Sequence, residues 1–184
     1  MKEIEFLSIL EAQGWKCEMD EAREHFCVIN IDDVDVQVIP SVKKRADHFR
    51  VSLAASVSSR EFSEAVGYIF GKRCGHVPVV LDREPPEKFI NISPRDVEML
   101  SGKVISWARS QDINAGLKSY RNLPTDAKGA MPLRHLAALS IAGDAARLMG
   151  YKECFDRGDR LGFVPYITAE MIVRAVQLAM RHGD

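Results

Sequence analysis

The stretch FCVINIDDVDVQVIP, residues 26–40, carries the clearest structural signal in this chain of 184 residues. From Val34 onward, apolar side chains alternate with polar ones, which is the period of a strand with one buried face. The pair Asp32-Asp33 just before it has the chemistry of a tight turn. Phe49–Ala55 alternates in the same way. We therefore predict a three-stranded antiparallel meander that begins at residue 26.

Helical spacing of apolar residues predicts helices on both sides of this meander. The strongest helix start is Ser93-Pro94-Arg95-Asp96, which places a capping serine, an N1 proline and an acidic N3 residue in order. The other segments are a leading helix, a helix after the meander and two short strand candidates, at residues 2–13, 58–71, 77–81 and 88–92.

Beyond Ser110 every apolar pattern is helical, and residues 121–131 form the clearest linker. The fold class predicted is therefore α+β: a helix, a three-stranded antiparallel meander, a helix, two short strands and a helix, followed by an all-helical C-terminal part. We expect residues 1–110 to form one α+β unit and residues 111–184 to form a helical unit packed on it.

Charge is balanced overall but uneven along the chain. The formal net charge is −1, which is unusual for a general polyanion binder, so we expect no nucleic-acid partner. Residues 1–40 hold ten acidic and three basic residues, and the rest of the chain has a basic excess. Such polarity suits a charged protein partner or a solvated surface.

Cysteine and histidine spacing indicates neither a metal site nor a cofactor. The four cysteines are scattered without a C-x-x-C pair, and the five histidines lack ligand spacing. The N-terminal residues lack a signal-peptide profile, and no apolar run approaches the length of a membrane span. We expect a cytoplasmic protein with four free thiols, no cofactor and no membrane association.

No catalytic motif is present. Asp47 and His48 are adjacent, and neighbouring residues of a strand point to opposite faces, which would prevent a dyad. The stretch Gly71–Gly75 follows a predicted helix and fits a helix C-cap better than a phosphate loop. We therefore expect no enzymatic activity.

The first 110 residues resemble the type III secretion chaperones in the order of their elements. The resemblance lies in the leading helix (Phe6, Leu7, Leu10), the meander, and the helix from Arg60 to Phe70. It implies a small cytoplasmic homodimer that holds a segment of a client protein on a hydrophobic surface. The chain departs from that family in its helical residues 111–184 and in its less acidic charge.

These observations favour a non-enzymatic protein-binding module that holds a client segment. An immunity or antitoxin-like protein that inhibits a cognate enzyme through its acidic face is the alternative, and an enzyme of unrecognised type is the third interpretation. Candidate contact residues lie on the outward face of the meander and in an aperiodic loop: Ile29, Ile31, Ile39, Phe163 and Tyr166. We expect Phe163→Ala and Tyr166→Ala to weaken partner binding without disturbing the fold.

Overall fold

A computed structural model describes residues 1–182 of the chain. It confirms the α+β class, the three-stranded antiparallel meander and the helical C-terminal part. Each helix of this described part is too short or too polar to cross a lipid bilayer. The elements in chain order are α1 Glu3–Ala12, β1 Lys16–Met19, β2 His25–Ile31, β3 Val34–Lys44, β4 Phe49–Ser59, α2 Arg60–Phe70, β5 Val80–Leu81, β6 Glu87–Phe89, α3 Pro94–Arg109, α4 Ile113–Arg121, α5 Met131–Ile141, α6 Ala145–Asp156 and α7 Ala169–His182.

The sheet has the strand order β1-β2-β3-β4-β5, and β6 also pairs with β4. β1 is an edge strand that the sequence pattern did not predict, because its four residues are too few to establish an alternation. Alternation buries one face of the meander, as Val36, Val38, Val51 and Val57 are fully inaccessible to solvent.

A disulfide joins Cys17 of β1 to Cys27 of β2. The two residues are direct partners in the antiparallel register, so their side chains lie on the same face. The expectation of four free thiols is therefore wrong for this pair, while Cys74 and Cys154 are free. Spacing along the chain did not reveal the pair, because strand register brought the two residues together.

Contacts between residues divide the chain into two compact units. Unit 1 comprises residues 1–58 and 78–111, and unit 2 comprises residues 59–77 and 112–184. The division near residue 111 lies where the sequence changes to helices only. The segment 59–77 differs from the predicted 1–110 unit, because α2 packs against α5 and α7.

In unit 1, α1 packs against α3. Trp15, which follows α1, is 2 % exposed and donates its indole N–H to the Ser101 hydroxyl of α3 at 2.9 Å. The start of α3 has the predicted capping box, since the Ser93 side chain accepts from the Asp96 amide and the Asp96 carboxylate accepts from the Ser93 amide.

In unit 2, α5 lies at the centre of the helical core, where it contacts α2, α4, α6 and α7. Most of the residues of α5 are therefore buried, whichever side of the helix they lie on. The α2 helix begins after Ser59, whose hydroxyl accepts from the Phe62 amide. Its apolar face includes Phe62, which stacks on Tyr120 with ring centroids 5.6 Å apart.

Candidate functional site

The structure places Ile29 and Ile31 on the buried face of the sheet. Ile29 lies opposite Val36 and Ile31 lies opposite Val34, and direct cross-strand partners share a face. Ile31 is 9 % exposed and Ile29 is half-buried. The expected outward position of these two isoleucines is therefore wrong. The turn at Asp32-Asp33 sets this register, which alternation within either strand cannot specify.

Ile39 lies on the other face of β3 and is 43 % exposed. It is one residue beyond Val38, which is fully buried, so the strand pleat sends the two side chains to opposite sides. Of the three predicted isoleucines, only Ile39 is available to a partner on the outward face.

Phe163 belongs to the core of unit 2 and is 4 % exposed. Its ring makes edge contacts with Tyr151 and Phe155, with centroid distances of 5.5 Å and 5.8 Å. The expectation that Phe163→Ala leaves the fold intact therefore fails, because the truncation would open a cavity. Tyr166, by contrast, is 38 % exposed, and its hydroxyl donates to the Gly129 carbonyl at 2.9 Å. Burial raises the pKa of that hydroxyl above its ordinary value.

Hydrogen bonds from Arg160 stabilise the aperiodic loop that carries these two aromatic residues. The Arg160 guanidinium donates to the carbonyls of Val164, Pro165 and Ile167 and lies over the Phe155 ring. These bonds satisfy backbone carbonyls that no helix or strand would otherwise pair. The loop is thus explained by internal packing and hydrogen bonding.

A surface cavity that combines apolar and charged groups lies in unit 1, and we call it the β4–α3 groove. Its volume is about 520 Å³. Val51 and Leu53 of β4 and Leu100 and Val104 of α3 contribute its apolar side chains, all of which are buried. The inward face of β4 and the apolar stripe of α3 therefore both line the groove.

One side of the groove is the segment between β5 and β6, which is tied to β4 at both ends. The Asp82 amide donates to the Ala55 carbonyl at 2.9 Å, and Glu87 pairs with Val51 in the sheet. Between them, the Glu84 amide donates to the Asp82 carboxylate at 3.1 Å. The backbone that carries these three carboxylates is therefore fixed relative to the groove.

The groove has an acidic rim with one basic side chain. Glu87 accepts from Lys103 at 2.6 Å, which neutralises one of the three carboxylates. Among residues 1–182, neither Asp82 nor Glu84 has a cationic side chain within ion-pair distance. The rim thus carries a net negative charge beside an apolar floor.

Trp107 closes the groove on the side of α3. Its helical spacing from Val97, Leu100 and Val104 predicts a core residue, whereas the structure shows it half-buried and lining the cavity. Sequence reasoning missed this site because its residues come from three segments. The one local signal is Pro85-Pro86 between two short strands flanked by acids.

Asp47 and His48 lie in the turn between β3 and β4, so the expectation that strand geometry separates their side chains is wrong. His48 Nδ1 is 2.6 Å from Asp47 Oδ1. This hydrogen bond is the main cause that lowers the pKa of the Asp47 carboxyl below its ordinary value. A turn allows the contact because it lacks the strict alternation of a strand.

His135 of unit 2 is fully buried, and both of its ring nitrogens have hydrogen-bond partners. Its Nδ1 is 2.9 Å from the Tyr120 carbonyl, and its Nε2 is 3.1 Å from the Tyr151 hydroxyl. The Tyr120 carbonyl can only accept, so Nδ1 carries the proton and, in the neutral ring, Nε2 accepts from the Tyr151 hydroxyl, which itself accepts from Arg147 at 2.8 Å. Desolvation lowers the pKa of His135 below its ordinary value, which agrees with this neutral tautomer.

No group of three or more potential metal ligands comes together within residues 1–182.

No curated protein and no solved structure matches the chain. A family model described as a family of unknown function, DUF6990, matches residues 2–180. The chain therefore belongs to the DUF6990 family.

Proposed function

We propose that this protein is a non-enzymatic binding module and that the β4–α3 groove receives a segment of a client protein. The observation that carries the proposal is the combination of an apolar floor and an unneutralised acidic rim in one cavity of about 520 Å³. Pockets for drug-sized ligands measure roughly 300–1,000 Å³ and pair apolar walls with a few polar groups.

The groove chemistry favours a short peptide segment with one apolar anchor and a neighbouring lysine or arginine. The apolar anchor would contact Leu53, Leu100 and Val104, which line the groove. The basic residue would meet the carboxylates of Asp82 and Glu84. Complementary charge of this kind fixes the register of a partner and accelerates its encounter.

Trp107 is the expected energetic centre of this contact. Tryptophan is enriched among the few interface residues that dominate binding energy, and Trp107 is half-buried, so it keeps surface to offer. Its indole face would also attract a cation held by the acidic rim. The groove therefore supplies two kinds of interaction with the same basic residue.

A displayed library of random twelve-residue peptides, selected on the full chain, tests this function. We expect the selected peptides to share an apolar residue next to lysine or arginine. Their dissociation constants, measured by fluorescence polarisation, should rise about tenfold for Glu84→Lys, because the variant replaces attraction with repulsion. Trp107→Ala should weaken binding at least as much.

Glu98→Lys is the matched control, because Glu98 is an exposed glutamate of α3 outside the groove. The selected peptides should bind this variant with the same affinity as the parent chain. Equal affinity for the parent and both groove variants would refute the groove as the client site. Turnover of a small molecule by the purified chain would favour an enzyme instead.

The acidic β1–β2 hairpin favours a second candidate, an immunity-like inhibitor of a cognate enzyme. Its exposed acids are Glu18, Asp20, Glu21 and Glu24. Four exposed carboxylates on one hairpin suit a partner with a basic active-site cleft. Charge reversal of Glu21 and Glu24 would abolish inhibition of such an enzyme and leave peptide binding in the groove unchanged, which separates the two candidates.

We also propose a cytoplasmic setting for this function. Disulfides are rare in the cytosol, so in this setting the bond between Cys17 and Cys27 would be reduced in the cell and would form on oxidation. Acid quenching of cells followed by alkylation and mass spectrometry measures this directly. Recovery of the pair as a disulfide would indicate an oxidising compartment.

A further inference from the structure

A second cavity of unit 1, of about 390 Å³, lies where the β3–β4 hairpin turns. We call it the hairpin pocket. It shares no lining residue with the β4–α3 groove, so it is a separate feature of the same unit. Its lining residues are Arg45, Ala46, Asp47, His48, Arg50 and Lys88.

Arg50 of β4 lies directly opposite Lys88 of β6. The next pair along these strands, Val51 and Glu87, lines the groove, and the strand pleat sends Arg50 and Lys88 to the other face. Like charges placed directly opposite each other in a sheet are destabilising. This pair therefore favours occupation of the pocket by an anion.

In the part of the chain that the structure describes, no carboxylate relieves the repulsion between these cations. Within the described residues 1–182, the side chains of Arg45, Arg50 and Lys88 have no acidic group within ion-pair distance. The lining contains one acid, Asp47, and its carboxylate is held by His48. Three cations and one carboxylate leave a net charge of +2 with His48 neutral.

His48 adds one ring nitrogen, Nε2, that has no hydrogen-bond partner among the described residues. Its Nδ1 faces Asp47, and its Nε2 is buried without a hydrogen-bond partner in the described part of the chain. Buried ring nitrogens normally have a partner. Because Nδ1 donates to the Asp47 carboxylate, Nε2 donates to an anion only when the ring is an imidazolium, and that form raises the net charge of the lining above +2.

We propose that the hairpin pocket binds the phosphoryl group of a phosphomonoester. Such a group carries about −1.5 to −2 charges at pH 7 and offers three acceptor oxygens, which matches the net charge of the lining. Guanidinium groups such as those of Arg45 and Arg50 bind phosphoryl oxygens in a bidentate geometry, and Lys88 contributes a point charge. A carboxylate ligand would neutralise only half of the pocket charge.

A small phosphorylated ligand fits this arrangement better than a nucleic acid. Nucleic-acid surfaces extend cationic side chains along a face or helix, whereas the whole chain has a net charge of −1. The cations of the pocket converge on one cavity of limited volume. This site goes beyond the proposed client-binding function, since it lies on the other face of β4.

Calorimetric titration of the parent chain with inorganic phosphate, at constant ionic strength, tests the proposal. We expect Arg50→Gln and Lys88→Gln each to weaken phosphate binding about tenfold or more, because each removes a charge-assisted hydrogen bond. Phosphate should also shift the Cε1–Hε1 NMR resonance of His48. Parallel titrations compare the affinities for adenosine 5′-monophosphate and O-phosphoserine. The ligand that binds more tightly shows whether the phosphoryl group belongs to a nucleotide or to a phosphorylated side chain.

Arg83→Gln is the matched control, because Arg83 is an exposed cation of unit 1 outside the pocket. It makes the same change in net charge and should leave phosphate affinity within about twofold. In buffer without phosphate, Lys88→Gln should also raise the melting temperature relative to Arg83→Gln, since it removes the repulsion with Arg50. Absence of phosphate binding, or equal phosphate binding by all three variants, would overturn the proposal.

Discussion

Cys17 lies directly opposite Cys27 in the β1–β2 pair, with Cα atoms 4.0 Å apart, and a disulfide joins their side chains. β1 is the outermost strand on its side of the sheet and has only four residues. The bond is therefore a covalent attachment of a short edge strand to the meander.

Reduction of this disulfide should lower the free energy of unfolding by about 2–3 kcal/mol, because the bond closes a loop of about ten residues and restricts the unfolded chain. Urea denaturation with and without dithiothreitol measures the difference. The variant Cys74→Ser/Cys154→Ser retains the loop and should show the same dependence on reductant. Identical midpoints with and without dithiothreitol would contradict this prediction.

Ser101→Ala should destabilise unit 1 by about 1–3 kcal/mol, because it leaves the buried indole N–H of Trp15 without an acceptor. Chemical denaturation followed by tryptophan fluorescence measures the effect. Ser106→Ala is the control, since Ser106 is an exposed serine of the same helix. A cost as small as that of the control would mean that the hydrogen bond contributes nothing.

Phe163→Ala should lower the free energy of unfolding by about 3–5 kcal/mol, the usual cost of truncating a buried phenylalanine. Tyr166→Phe removes only the hydrogen bond to the Gly129 carbonyl and should cost about 0.5–1.5 kcal/mol. Urea titration of the two variants tests both values. If Phe163→Ala were as stable as the parent, the assignment of Phe163 to the core would be refuted.

His135 should make the fold less stable as the pH falls below about 6.5, the ordinary histidine pKa in an unfolded chain. Burial lowers the pKa of His135 in the folded state, so in this range the unfolded state binds a proton that the folded state does not. The free energy of unfolding therefore decreases with decreasing pH and recovers as the pH rises above 6.5.

The difference between the parent and His135→Gln isolates this contribution, because the other histidines are common to both chains. Denaturation at a series of pH values from 5 to 8 should give a shallower dependence for the variant. Parallel curves for the two proteins would show that His135 gains a proton equally in both states.

Local sequence was sufficient for the fold class and for the longer helices and strands, although not for the four-residue strand β1. Val34, Val36 and Val38 carry the strand period within five residues, and Ser93-Pro94 starts a helix through bonds within its own first turn. Such signals depend on near neighbours in the chain, so they can be recognised without knowledge of the rest of the molecule. The class α+β and the meander were predicted on this basis.

Only the tertiary structure decided which faces of these elements are free and which residues meet. Strand register paired Cys17 with Cys27, turned Ile29 and Ile31 inward and placed Arg50 opposite Lys88. Each outcome depends on how two separate segments align, and a shift of one residue would reverse the face of every side chain. The sequence by itself therefore determined the longer elements, while packing between distant segments created both cavities.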